Sequence, residues 1–285
     1  MDIILAKTAG FCFGVKRAVD TVYAEIEKGG KIYTFGPIIH NDQVVSDLEE
    51  KGVIVINDLE SLSNYEKGTI VIRSHGISKD VEETIRASGM NVVDATCPFV
   101  KKIHRIVEEK SNNGDKIIVI GSKNHPEVAA IIGWCNKNNP ATVIENEQEA
   151  IEFILGDDRK ITIVSQTTFQ LTKFQELVDI FTKKGYDINV VNTICSATAE
   201  RQTEARKIAT EVDAMIVIGD SKSSNTQKLY EICSRECKST LFVQTENDLD
   251  ASSFEQLPRV VGITAGASTP NKIIEEVQNY VRINF

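Results

Sequence analysis

No apolar run in the 285 residues approaches the roughly 20 needed to cross a membrane as a helix, so a membrane-spanning protein is not expected. The N-terminal stretch Met1-Asp2-Ile3-Ile4-Leu5-Ala6-Lys7 is too short in its hydrophobic part for a signal peptide and runs straight into a motif, which makes a cytoplasmic location the expectation. Low-complexity linkers are also lacking. No Cys-x-x-Cys pair occurs among the six cysteines, which argues against a local zinc knuckle, and six in a chain of this length suit a reducing compartment better than a disulfide scaffold. A basic excess is missing too: the net charge of −9 argues against nucleic acid as the partner, since neutralising phosphates favours a basic face. A small anionic ligand stays open, because helix N-termini bind phosphate whatever the global charge.

What is present is a threefold pattern. Cys12 in Gly-Phe-Cys-Phe-Gly, Cys97 in Asp-Ala-Thr-Cys-Pro and Cys195 in Asn-Thr-Ile-Cys-Ser each follow a short apolar run and precede a charged, helix-like stretch. Twenty-four residues after each cysteine stands a glycine (Gly36, Gly121, Gly219), and twenty-eight after stand His40, His125 and Ser223. Further strand-like runs end in polar clusters at 73–76, 165–168 and 265–268. Short β-rich runs alternating with helical stretches imply parallel βαβ units, here three small α/β lobes at about 1–91, 92–188 and 189–285. Every polar cluster then lies on a loop at the carboxyl end of a strand, where such sheets collect ligands. Triplication for stability alone would explain the strands but not the polar recurrence at their ends.

Three well-separated cysteines, each at a helix start, are suited to soft-metal chemistry, because a helix N-terminus favours the thiolate and soft thiolates select zinc, copper(I) or iron–sulfur groups. Pro98 fits the first helical position after Cys97. Spacing leaves two alternatives open, a cubane cluster with one iron unligated by protein and buried, inert cysteines. Cys233 and Cys237, four apart in a helical stretch, and Cys135, beside the single tryptophan, read as packing residues. Three of the four histidines (His40, His75, His125) fall in the strand-end clusters, which points to anion binding, whereas His104 lies inside a helix and reads as structural. Ser223, Ser224, Asn225 and Ser268 offer neutral hydrogen-bonding groups at equivalent places, with ordinary helix capping as the plainer use. Glu127, after His125-Pro126, is the candidate proton donor, although an acid in a first helical turn is also common on dipole grounds. Thr167 or Thr168 could relay that proton, while Arg73 and Lys123 read as solvated loop charges.

Taken together, Gly-Phe-Cys-Phe-Gly-Val, His40-Asn41, Ser-His-Gly at 74–76, Asp-Ala-Thr-Cys-Pro, Gly-x-x-x-His-Pro-Glu at 121–127, Ser-Gln-Thr-Thr, Ser-Ser-Asn and Thr-Ala-Gly-Ala-Ser resemble the 4-hydroxy-3-methylbut-2-enyl diphosphate reductase (IspH, LytB) family, in order from Gly10 to about Pro270. The resemblance implies three α/β lobes in a pseudo-threefold, trefoil-like arrangement around a central iron–sulfur cluster. It implies reductive dehydroxylation of the allylic diphosphate to isopentenyl and dimethylallyl diphosphates, the last step of the non-mevalonate isoprenoid pathway. By the same resemblance Cys12, Cys97 and Cys195 hold a [4Fe–4S] cluster with one open iron. His40, His75, His125, Thr167, Ser223, Ser224, Asn225 and Ser268 contact the substrate, with Glu127, Thr167 and His125 as the catalytic set and Thr168 the fallback relay. A ferredoxin or flavodoxin is the implied electron donor. Phe13 stands where the family often has a smaller residue, which touches packing but no ligand. Three other readings compete: an iron–sulfur hydro-lyase without net redox, a non-enzymatic iron–sulfur sensor, and a zinc-stabilised sugar-phosphate binder.

Overall fold

A computed structural model of the chain describes residues 1–285 apart from 251, 253 and 255. The elements follow the predicted alternation. From the N-terminus come β1 (Asp2–Leu5), α1 (Phe13–Lys28), β2 (Ile32–Phe35), α2 (Asp42–Glu50), β3 (Ile54–Ile56), β4 (Thr69–Ile72), α3 (Lys79–Ala87) and β5 (Asn91–Asp94). Then follow α4 (Pro98–Asn112), β6 (Lys116–Ile120), α5 (Pro126–Ile132), β7 (Thr142–Ile144), α6 (Glu147–Glu152), β8 (Ile161–Ser165), α7 (Leu171–Lys183) and β9 (Ile188–Val190). The last part holds α8 (Ser196–Glu211), β10 (Ala214–Ile218), α9 (Ser224–Glu236), β11 (Thr240–Val243), β12 (Val260–Ala265) and α10 (Asn271–Asn284).

These strands form three parallel four-stranded sheets, ordered β3-β2-β4-β5, β7-β6-β8-β9 and β11-β10-β12-β1. Counting strands within each sheet in the order of the repeat, all three read second, first, third, fourth. The inner strands are mostly apolar, as in Ile117–Ile120 of β6 and Ala214–Ile218 of β10, because a parallel sheet covered by helices buries both faces. The fourth strand of the last sheet is β1, paired with β12 from Asp2↔Val260 to Leu5↔Ile263. Sheets and sequence thirds are therefore offset: β1, at the start of the 1–91 segment, belongs to the last sheet, and the limits at 91/92 and 188/189 fall inside β5 and β9.

The fixed offsets have a structural cause. Each cysteine is followed by a helix of 16, 15 or 16 residues, then the first strand of a sheet, then the marked glycine. The three glycine N–H groups donate to matching carbonyls at the ends of the second strands: Gly36 to Ile56 (2.8 Å), Gly121 to Ile144 (3.1 Å) and Gly219 to Val243 (2.9 Å). Gly36 has φ +70°, a conformation that glycine adopts without penalty, and at Gly121 a Cβ would stand 2.8 Å from Val128 Cγ2 and 2.9 Å from Gln166 Cβ.

The chain divides into two compact units. One comprises Met1–Lys16, His40–Ser46 and Cys195–Phe285, and contains the β11-β10-β12-β1 sheet. Its core packs Ile216, Ile218, Ile263 and Val277 on one side of the sheet and Met215, Val217, Leu229 and Cys233 on the other. The second unit comprises Arg17–Ile39 and Asp47–Ile194 and contains the other two sheets. Inside it the two lobes meet at Trp134, whose indole N–H donates to the Ile77 carbonyl (2.9 Å) while its ring stacks on His104 at 5.1 Å. His104 is buried, its pKa depressed to about 4 by desolvation, and it packs so closely on Gly76 that a Cβ there would lie 2.7 Å from His104 Cε1. No described helix is long and apolar enough to cross a membrane.

Candidate active site

In the second unit the loops after β6 and β8 bring an acid, a hydroxyl and an imidazole together. His125 is the N-cap of α5, and its Nδ1 accepts the Glu127 N–H (3.1 Å). With Nδ1 used as acceptor, the Nε2 position is left to carry the ring proton. Glu127 is only 2 % exposed. Its Oε1 accepts the Thr167 N–H (2.6 Å) and its Oε2 accepts the Thr167 hydroxyl (2.8 Å). Burial pushes the carboxyl up to about 7, against the opposing pull of those two hydrogen bonds. A buried acid of that strength is protonable near neutrality. The Thr168 hydroxyl instead accepts from Gln166 Nε2 (2.9 Å), whose Oε1 takes the Ser122 N–H (3.1 Å). His75, after β4, sets its ring edge-on to His125 with centroids 5.5 Å apart.

Cys97 in the same unit is the N-cap of α4, half-buried, with its N–H donating to Ser74 O (3.0 Å) and its carbonyl accepting from Lys101 N (3.0 Å). The loop ahead of it is held by Arg17, whose guanidinium donates to the carbonyls of Asp94 (3.2 Å), Ala95 (3.4 Å) and Thr96 (3.0 Å).

The other unit carries Cys12 and Cys195, both half-buried and both at helix starts. Cys12 O accepts from Lys16 N (2.9 Å), and Cys195 is the N-cap of α8. At the start of α9, Ser223 is the N-cap and accepts from Thr226 N (3.4 Å), and Ser268 Oγ donates to Ser223 Oγ (3.3 Å). Asn225 is 4 % exposed, and neither its amide oxygen nor its amide nitrogen has a hydrogen-bond partner among the described residues. Ser224 beside it is half-buried. His40, also half-buried, begins a segment tied to this unit by Asp42, whose N–H donates to Asp220 Oδ2 (3.0 Å) and whose carboxylate meets Lys222 Nζ (2.6 Å).

One loop charge departs from its expected exposure, while other readings hold. Arg73, expected to be solvated, is half-buried, with its Nε donating to Gly76 O (3.3 Å) and burial lowering its pKa. Lys123 is exposed and pairs with Glu149 (2.6 Å). Cys233 and Cys237 pack in the core, and burial raises the Cys233 thiol to about 12. Sequence reasoning missed Arg201 altogether. It is 3 % exposed and donates from Nη1 to Ala265 O (2.6 Å) and from Nη2 to Gly10 O (2.9 Å). The available signal was the helical stripe Thr198, Arg201, Gln202, Ala205, Ile208 and Ala209, every member of which is buried.

Parallel sheets whose strand ends carry helix-starting cysteines, a protonable buried acid and neutral hydrogen-bonding groups are the frame of an α/β enzyme. The chain belongs to the LytB protein family, whose model matches residues 3–282. A curated relative, 4-hydroxy-3-methylbut-2-enyl diphosphate reductase of Thermoanaerobacter sp. (strain X514), is 44 % identical over 99 % of this chain and 97 % of its own. Among solved structures, the E-1-hydroxy-2-methyl-but-2-enyl-4-diphosphate reductase of Plasmodium falciparum superposes with a TM-score of 0.91 at 32 % identity, over 99 % of this chain and 87 % of that one. A second, (E)-4-hydroxy-3-methyl-but-2-enyl diphosphate reductase, described as the terminal enzyme of the non-mevalonate pathway, gives a TM-score of 0.71 at 39 % identity over 99 % of both chains.

Proposed function

We propose that this chain is a 4-hydroxy-3-methylbut-2-enyl diphosphate reductase, an oxidoreductase that removes the allylic hydroxyl with two electrons and protons to form isopentenyl and dimethylallyl diphosphates. The observation that carries the reading is Glu127, buried and held by both the N–H and the hydroxyl of Thr167, in a chain that matches the family along nearly its whole length. Cys12, Cys97 and Cys195 would hold a [4Fe–4S] cluster. The donor set fits: three soft thiols, each half-buried at the start of a helix of at least 15 residues, where the N-terminal dipole favours the anion. When bound, such a cluster supplies electrons and an open iron that polarises the substrate hydroxyl.

The chain's own residues do the rest. Glu127, with its carboxyl at about 7, holds a proton near neutral pH without exposing it to bulk water. The Thr167 hydroxyl bonds that carboxyl and, being both donor and acceptor, can pass the proton on to the substrate oxygen. His125 donates from Nε2 to the diphosphate, and His40 and His75 add further donors. Ser223, Ser224, Asn225 and Ser268 offer the diphosphate neutral groups, and the Asn225 amide, without a partner among the described residues, has donors to spare. A ferredoxin or flavodoxin serves as electron donor, and the location is the cytoplasm.

The test is an anaerobic assay with a chemically reduced donor and the allylic diphosphate, read beside iron and sulfide content. Two electrons consumed per diphosphate and formation of both five-carbon products are expected. Dehydration without electron consumption would make the chain a hydro-lyase. Iron and sulfide without turnover would make it a sensor, and zinc in their place a sugar-phosphate binder.

A further inference from the structure

Arg201 lies in the second turn of α8, six residues after Cys195, and is among the most deeply buried charged side chains of the described residues. Two of its three nitrogens bond backbone carbonyls, Ala265 at the end of β12 and Gly10 two residues before Cys12. The third, Nε, is buried with no partner among the described residues. Nor does any carboxylate among the described residues pair with it. The nearest acid on the same helix face, Glu204, is committed elsewhere: it accepts Lys7 N (2.9 Å), Thr8 N (2.9 Å) and Thr8 Oγ1 (2.6 Å). A buried cation bonded only to neutral carbonyls is costly by several kcal/mol unless an anionic group lies close by. The groups whose charge bears on the guanidinium are Cys12, then Glu204, then Cys195, and although burial lowers its pKa to about 10 it stays cationic at neutral pH. Both cysteines are among those that would hold the cluster.

We propose that Arg201 is a positioning residue with two linked roles: its fork fixes the loop that presents Cys12, and its buried positive charge offsets the negative charge of a metal–sulfur group held by Cys12 and Cys195, making that group easier to reduce. The inference rests on the proposed function, since it needs a cluster on these thiolates. The chemistry is general: the potential of an iron–sulfur centre follows the local net charge and the hydrogen bonds around its sulfurs, and adding an electron next to a fixed cation is favoured. Arg17 makes a useful contrast. It staples the loop before Cys97 in the same carbonyl-bonding way, but it is only half-buried and solvent shares its charge. The loop-holding role is thus common to both arginines, and the electrical one falls to Arg201.

The experiment is a redox titration, followed by electron paramagnetic resonance, of the anaerobically purified parent protein and its Arg201→Gln and Arg201→Lys variants, with iron and sulfide measured on each. At a fixed solution potential the reduced-to-oxidised ratio of Arg201→Gln is expected to fall about tenfold, equal to about 59 mV for a one-electron couple. Arg201→Lys, which keeps the charge, should stay within about threefold of the parent. A cluster-bearing Arg201→Gln within about threefold of the parent overturns the proposal. If Arg201→Gln retains no cluster, Arg201→Lys decides. A parent-like ratio supports the charge role, and a tenfold fall or loss of its cluster overturns it and leaves Arg201 a loop staple only. A parent protein without iron and sulfide fails the proposed function itself, and that failure is visible before any variant is made.

Discussion

Glu127 and Asn225 occupy the same position in two copies of one repeat, thirty residues after Cys97 and Cys195, in the first turns of α5 and α9. Each follows an N-cap whose side chain accepts a backbone N–H, His125 in one lobe and Ser223 in the other. Both are almost completely buried. Yet Glu127 has both carboxyl oxygens satisfied by Thr167, whereas the Asn225 amide has no partner among the described residues. The local fold is shared and the chemistry is not. A buried acid with satisfied oxygens is a reservoir for a proton. A buried amide without partners is a costly feature for folding alone, and in the proposed function its groups bond the substrate. The repeat thus supplies one frame, and in the proposed function single substitutions within it divide proton delivery from anion binding.

That division can be broken at several points. Replacing Cys12, Cys97 or Cys195 with serine should remove the stable cluster and reduce turnover below detection, checked by iron content and the anaerobic assay. Full activity in any one variant would remove that residue from the ligand set. Glu127→Gln should lower turnover by about 10²–10⁴-fold while substrate affinity stays within about threefold, because the amide keeps the shape without supplying a proton. The same variant should alter stability with a definite sign. A carboxyl raised in the folded state to about 7 from an ordinary 4.5 stabilises the fold below the lower value, and that contribution is lost as pH rises through the upper one. Between those limits the parent should lose on the order of 3 kcal/mol relative to Glu127→Gln, measured by denaturant unfolding across pH. Asn225→Ala should weaken diphosphate binding by about 1.5–3 kcal/mol, read by calorimetry, and leave unfolding stability unchanged or higher since no internal bond is lost. Ser268→Ala, removing one neutral hydroxyl, should cost about 0.5–1.5 kcal/mol of binding.

Much of this was legible in the chain. The strand-end clusters and the offsets from each cysteine are set by a helix and a strand of nearly constant length, and local patterning carries that information directly. Polar residues in loops after apolar strands were likewise readable as candidate site residues, and the His-Pro-Glu sequence singled out Glu127 as the candidate acid. What escaped notice depends on long-range contact. Nothing within Asp2–Leu5 says that this edge strand joins Val260–Ala265 rather than the strands that follow it. The choice between Thr167 and Thr168 turns on which hydroxyl faces Glu127, a matter of loop geometry that no spacing rule contains. Arg201 was passed over because a charged residue in a polar helix is ordinarily solvated, and only its place among Thr198, Gln202 and Ala205 on one face marks it as interior.

The most direct measurement is the titration of the Glu127 carboxyl itself, by carbon-13 labelling of glutamate with Glu127→Gln to assign the signal. A midpoint near pH 7 is expected, matching a buried acid that keeps its proton under working conditions. A midpoint near 4.5, the ordinary value, would mean that the group is ionised at neutral pH and would contradict its role as the proton source.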